Sequence, residues 1–211
     1  MRLFSKSNAL PKADETLPGR AEAMSVPERH FVNSNPLKPP YPETLQVITL
    51  GLGCFWGTEE IYWQLPGVFS TMVGYTGGGT PNPSYEEVCT GMTGHNEVTR
   101  VVFDPSVVSL ESILKTFWEV HDPTQGMRQG NDVGSQYRSG IYFHTEQQRE
   151  VAEQSRDRYQ AALTAAGRGD ITTEIIACAE FYYAEEYHQQ YLAKNPNGYR
   201  CHANTGIAYP G

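Results

Sequence analysis

The chain has 211 residues, a hydrophobic fraction of 39% and a net charge of −8. That length supports one globular domain with a proper core and does not demand two. The acidic balance argues against nucleic-acid binding, which needs a basic face, and no run of about eighteen apolar residues is present to span a membrane.

Residues 1–10 carry Arg2 and Lys6 but no apolar stretch of the kind a secretory signal needs. Cys54, Cys89, Cys178 and Cys201 are widely spread, unlike the dense cysteines of a secreted disulfide scaffold. No CxxC or paired Cys/His spacing suggests zinc. These features predict a reducing, cytoplasmic setting in which a thiol is either a buried filler or a reactive group.

Residues 1–44 hold seven of the 14 prolines and show no apolar period. They read as an extended arm that either wraps the domain or moves freely, with Phe31, Val32, Leu37 and Tyr41 available to dock. From residue 45 the chain becomes regular. Residues 45–50 are rich in β-formers and read as a strand, broken by Gly51 and Gly53. Residues 55–65 place Phe55, Trp56, Tyr62 and Trp63 at helical spacing before Pro66-Gly67. A strand over 68–75 runs into Gly77-Gly78-Gly79, and a loop over 80–96 follows. A third strand covers 97–103. Ser109 can cap a helix carrying Ile113, Leu114, Phe117 and Trp118 on one side. Residues 122–136 are polar loop and 137–143 a fourth strand. Thr145 with Gln148 makes a capping-box pattern for a helix to about residue 166. Residues 172–178 read as a fifth strand, 185–194 as a short helix and 197–211 as an irregular tail. The core order of strand, helix, strand, strand, helix, strand predicts an α/β fold: a split βαβ, ferredoxin-like two-layer sandwich with helices on one face of the sheet.

Four segments carry possible chemistry. In Gly53-Cys54-Phe55-Trp56-Gly57 a cysteine stands where a strand ends and a helix begins. Unpaired N–H groups at a helix start favour negative charge, so a thiolate there is expected to be stabilised and reactive. Phe55 and Trp56 offer an apolar wall suited to a methyl group. The alternative is a buried structural cysteine. In Gly94-His95-Asn96-Glu97, His95 and Glu97 lie two apart and either can act as acid or base; for His95 alone, a solvated strand start is the better reading. In the loop from Gln129 to Ser139, Tyr137 can donate to a polar substrate oxygen and Asp132 can hold a turn, although a turn built from Asn and Gly explains most of the composition. In the tail, Cys201 lies in a flexible, glycine-flanked segment. It can meet an oxidised Cys54 and close a disulfide, or be a chance surface thiol.

The motif Gly53-Cys54-Phe55-Trp56-Gly57 resembles the active-site signature of the peptide methionine sulfoxide reductase A family. The resemblance continues through Gly74-Tyr75-Thr76-Gly77-Gly78, Pro81-Asn82-Pro83-Ser84-Tyr85, Gly94-His95-Asn96-Glu97 and His121-Asp122-Pro123. It runs on through Arg128-Gln129-Gly130-Asn131-Asp132, Gln136-Tyr137-Arg138-Ser139 and His188-Gln189-Gln190-Tyr191, and covers about residues 45–201. It implies an α/β sandwich around a mixed sheet and reduction of the S epimer of methionine sulfoxide, free or in proteins. It implies that Cys54 is the nucleophile, Glu97 the acid, and Tyr85 and Tyr137 the hydroxyls that hold the sulfoxide oxygen. Phe55 and Trp56 would take the methyl group, Asp132 and Tyr191 would contact substrate, and Cys201 would resolve the sulfenic acid on Cys54. Thioredoxin would then reduce the disulfide, with no metal or organic cofactor. The expected protein is a monomer that binds neither nucleic acid nor membrane.

One departure stands out. Some members carry two cysteines in the tail, whereas this tail has only Cys201, so thioredoxin would act directly on a Cys54–Cys201 bond. Cys89 and Cys178 read as structural. Two other function classes remain open to the residues: a cysteine hydrolase using His95 or His188 as base, and a module that binds methionine or its sulfoxide without turnover.

Overall fold

The computed structural model describes residues 9–12, 14–201 and 203–211. The β-rich run before Gly53 forms β1 (Gln46–Leu52), followed by α1 (Phe55–Trp63) and β2 (Val68–Thr76). Next come α2 (Tyr85–Cys89), β3 (Asn96–Phe103) and α3 (Leu110–Val120). A small hairpin of β4 (Arg128–Gln129) and β5 (Asp132–Val133) precedes β6 (Ser139–Phe143) and α4 (Glu146–Ala165). The chain closes with β7 (Glu174–Ala177), β8 (Tyr182–Tyr183) and α5 (Tyr191–Lys194). The main sheet has the order β7-β6-β1-β3-β2-β8. Only the outer β6–β7 pair is parallel. The inner order β6-β1-β3-β2 is the expected split βαβ arrangement.

Strand alternation divides the core into two faces. Ile48, Leu50 and Leu52 of β1, with Val101 and Phe103 of β3, point toward α1, α3 and α4. From α3, Ile113, Leu114, Phe117 and Trp118 supply the apolar stripe read from the sequence, all fully buried. Trp118 keeps its ring nitrogen satisfied by donating to Ser155 of α4 at 3.0 Å. The caps hold as expected: Ser109 accepts from Ser112 N and Thr145 from Gln148 N. The reciprocal half of the Thr145 box differs, because Gln148 Oε1 accepts from His144 N while its amide donates to Val47 O.

The opposite face is covered by the arm. Leu37 is fully buried with Met72, Val98 and Val102, and Tyr41 packs beside it. The hydroxyls of Tyr41 and Tyr183 both donate to Leu37 O, at 2.7 and 3.2 Å. His30 is buried on the helix side instead, near Trp63 of α1; its Nδ1 accepts from Val32 N and its Nε2 meets Thr71 Oγ1 at 2.9 Å. Of the four side chains expected to dock, Leu37 and Tyr41 do so, while Phe31 and Val32 are exposed.

Four local readings need correction. The loop over 80–96 contains α2, whose Ser84 and Glu87 form a full capping box. The polar stretch over 122–136 contains the β4–β5 hairpin. Tyr137 ends a short 3-10 turn, and the fourth core strand starts at Ser139. The helix expected over 185–194 shrinks to α5, because Gln190 adopts a left-handed φ of 49°. Glu59 holds it there by accepting from both Gln190 N and Gln190 Nε2 at 2.7 Å.

If the arm is part of the core, Leu37→Ala lowers unfolding stability by about 2–4 kcal/mol, while Phe31→Ala changes it by less than about 0.5 kcal/mol. Urea melts of the two variants measure the contrast; equal effects would contradict it.

Candidate functional site

The turn from β1 into α1 is made by Gly53, whose φ is +94°. A side chain there would be strained, and its Cβ would sit 2.7 Å from Gln129 Cβ. Gln129 in turn clasps the backbone of Asp122, accepting from its N at 3.0 Å and donating to its O at 2.9 Å. This lays the β4–β5 hairpin against the Gly53 turn. Cys54 follows as the N-cap of α1. Its side chain makes no capping hydrogen bond, although the nearby Trp56 backbone N–H favours negative charge on the sulfur.

Cys54 lies at a pocket of about 130 Å³. Phe55 and Trp56 form one wall, Glu97, Tyr85 and Tyr137 supply polar groups, and Asp132 and Tyr199 stand beside them. Each comes from a different part of the chain. Glu97 projects from β3 on the helix-facing side, opposite Tyr75 in the ladder. Tyr85 opens α2, where Glu185 accepts from its backbone N at 2.8 Å. Asp132 comes from the hairpin, and Tyr199 from the tail, where its hydroxyl donates to Asp132 Oδ2 at 3.2 Å.

Electrostatics favour neutral groups. Glu97 is 1% exposed. Phe55 N donates to Oε2 at 3.3 Å, but Oε1 is buried without a partner. Burial lifts its carboxyl to about 8, partly offset by the Phe55 bond. The Cys54 thiol is raised well above its ordinary value, first by burial and then by the Glu97 charge; the Trp56 N–H opposes this without overcoming it. The expected stabilised thiolate is therefore corrected: burial of the thiol outweighs the helix start. Burial also raises both Tyr85 and Tyr137, keeping their phenols protonated as donors.

Tyr191 does not line the pocket. It stacks on the far side of Trp56, ring centroids 3.9 Å apart and 17° from parallel. His188 braces the same wall: fully buried, it accepts from Trp56 Nε1 at 2.9 Å and packs against Phe55 and Tyr85. Burial lowers it to about 3, so it is neutral. His95 bonds Gly78 N and Thr80 O through its two ring nitrogens. Neither histidine lines the pocket, which removes the base that a cysteine hydrolase would need. Tyr199 was missed from sequence; a tail aromatic two residues before Cys201 was its only signal. Cys89 ends α2 and Cys178 packs under the arm-covered face. Cys201 rests with its sulfur 3.6 Å from Gln129 O. None of the four cysteines is in a disulfide. Among the described residues, no group of His, Cys, Asp and Glu could hold a metal ion, and no helix is long and apolar enough to cross a membrane.

The family pattern described as peptide methionine sulfoxide reductase matches residues 46–209. The chain belongs to that family. As a member it is an oxidoreductase, a methionine sulfoxide reductase. It is 62% identical to "Peptide methionine sulfoxide reductase MsrA 2" of Nostoc sp., over 98% of this chain and 93% of that one. Its fold matches the solved structure of methionine sulfoxide reductase A of Corynebacterium diphtheriae with a TM-score of 0.86 and 43% identity, covering 96% of this chain and all of that one. It also resembles Mxr1 from Saccharomyces cerevisiae, solved in complex with Trx2, with a TM-score of 0.50 and 25% identity over 74% of this chain and 90% of that one.

The raised thiol predicts slow alkylation. Iodoacetamide should modify Cys54 more slowly than a free cysteine at neutral pH, with the rate still climbing beyond pH 9. Above about pH 8, where Glu97 carries charge, Glu97→Gln should accelerate the reaction by removing the repulsion. Peptide mass spectrometry of timed samples reads both effects; a fast plateau near pH 6 would contradict them.

Proposed function

We propose that the protein reduces the S epimer of methionine sulfoxide, free or within proteins, with Cys54 as nucleophile and Glu97 as proton donor. The observation that carries this reading is the Glu97 carboxyl, raised to about 8, in the same pocket as the Cys54 thiol. Sulfoxide oxygen leaves poorly unless protonated, and Glu97 is in its acid form at neutral pH. The substrate methyl group packs against Phe55 and Trp56, with Tyr191 and His188 holding the Trp56 ring in place. Tyr85 and Tyr137 donate to the sulfoxide oxygen as charge develops on it. Asp132 receives the polar main chain of the substrate at the rim.

The step balances within the site. Glu97 gives its proton to the sulfoxide oxygen while the Cys54 sulfur attacks the substrate sulfur. Oxygen passes to Cys54, methionine leaves, and the thiol proton replaces the one that Glu97 gave. Cys54 is left as sulfenic acid. Starting from two neutral groups spares the pocket a separated charge pair, which a poorly hydrated site solvates badly.

Cys201 then attacks the sulfenic sulfur, releasing water and forming a Cys54–Cys201 disulfide. Thioredoxin reduces that bond by thiol exchange, a role supported by the Mxr1–Trx2 complex. The set of residues asks for neither a metal nor an organic cofactor. We place the enzyme in the cytoplasm as a monomer, with residues 45–211 as the catalytic domain and residues 1–44 as an N-terminal arm.

Mixing reduced enzyme with resolved S-sulfoxide and no external reductant should release one methionine for two thiols lost. Cys54→Ser should release none, and Cys201→Ser about one per enzyme without thioredoxin recycling. Normal recycling in Cys201→Ser would refute the tail assignment. Glu97→Gln should slow single-turnover methionine release by about 10²–10⁴-fold. Because the raised carboxyl is protonated below about 8, the wild-type rate should fall as pH rises through that value. A rate that instead rises through pH 8, as thiol ionisation alone would dictate, would refute the acid role.

A further inference from the structure

We infer that the ion pair between Glu60 and Arg200 is a clamp that sets the register of the tail and keeps Cys201 poised for disulfide closure. This rests on the reading that Cys201 resolves Cys54. Glu60 and Arg200 are positioning residues: neither lines the Cys54 pocket.

Glu60 lies on α1, six positions beyond Cys54, with its carboxylate partly buried. Arg200 meets it as a fork, Nε to Oε2 at 2.6 Å and Nη2 to Oε1 at 2.8 Å. The remaining guanidinium nitrogen, Nη1, donates to Pro196 O at 2.9 Å and to Gly198 O at 3.2 Å. One side chain therefore fixes both the shape of residues 196–200 and their place on α1. The backbone beyond it lies along the helix: a Cβ on Gly57 would stand 4.0 Å from Arg200 Cα and from Cys201 N. Asp132 completes the placement from the hairpin side, accepting from Tyr199 Oη at 3.2 Å.

The next described anchor downstream is Thr205, bonded to Tyr159 Oη at 2.6 Å. Without the clamp, the described residues between α5 and Thr205 keep the turn bonds at Asn195 and Gly198, the Tyr199–Asp132 bond and the contact of Cys201 with Gln129 O. Closure needs the Cys201 sulfur to reach the sulfur of Cys54–SOH; a sulfur–sulfur bond forms, the S–OH bond breaks, and the thiol proton leaves with the hydroxide as water. Its rate scales with the fraction of time the tail spends in register. Methionine release comes earlier and involves neither Glu60 nor Arg200, which lie outside the pocket.

The test is quenched-flow mass spectrometry of the full-length enzyme with resolved S-sulfoxide, following methionine, Cys54 sulfenic acid and the disulfide separately. In Glu60→Gln, methionine release should match wild type while the sulfenic acid lasts about threefold to fivefold longer, the scale of a lost ion pair that stays partly open to solvent. Salt at about 1 M should lengthen the wild-type lifetime toward that of the variant and leave the variant unmoved. An unchanged lifetime in Glu60→Gln, or a lifetime indifferent to salt in wild type, overturns the clamp. So does an equal slowing of methionine release, which marks a general structural role. Failure of the underlying reading has a different signature: no sulfenic acid accumulates in Cys201→Ser.

Discussion

On β3 the side chains facing the helices run Glu97, Thr99, Val101 and Phe103, and the alternation that buries the last two buries the first as well. A carboxyl in that row cannot hold its charge cheaply. It receives a single backbone bond, from Phe55 N, and one of its oxygens has no partner. The same bond joins the strand to the first residue of α1, so the acid and the thiol of Cys54 are set in relation to each other by the secondary structure itself. Pocket walls, hairpin and tail are arranged around that fixed pair.

Burial gives the pair its protonation state. A helix start usually favours the thiolate, and α1 does direct the Trp56 N–H at the sulfur. Here the surrounding aromatic side chains and the Glu97 charge exert the larger effect. Substrate changes that balance, because a sulfoxide brings its own dipole and oxygen into the pocket, and Tyr85, Tyr137 and Glu97 are the donors available to meet them.

Much of this was legible in the chain. The Cys54 turn could be read because a β-rich run, two glycines and a helical aromatic pattern follow in order. The alternation of β3 put Glu97 on a definite face. What could not be read came from residues distant in sequence. The thiol's environment depends on Tyr85, Glu97 and Asp132, which meet Cys54 only once the sheet is assembled. The short α5 follows from Glu59 gripping Gln190, a contact spanning 131 positions. The tail is irregular as expected, yet Arg200 on Glu60 and Thr205 on Tyr159 tether it across the fold. The α2 capping box was a missed local signal: Ser84 and Glu87 stood at the right spacing, masked by the prolines before them.

The Leu37 contact bears on where this enzyme begins. The family pattern starts at residue 46, the point where composition also changes. Yet the Nostoc relative aligns over 98% of the chain, so the preceding segment is shared with it. Under that segment lies Met72, fully buried, its thioether facing the Tyr41 hydroxyl at 3.5 Å. A repair enzyme for oxidised methionine thus keeps one of its own methionines beneath the segment that precedes its recognisable pattern. Trimming the chain to its recognisable pattern would take Leu37 and the Tyr41 hydroxyl away from that sulfur.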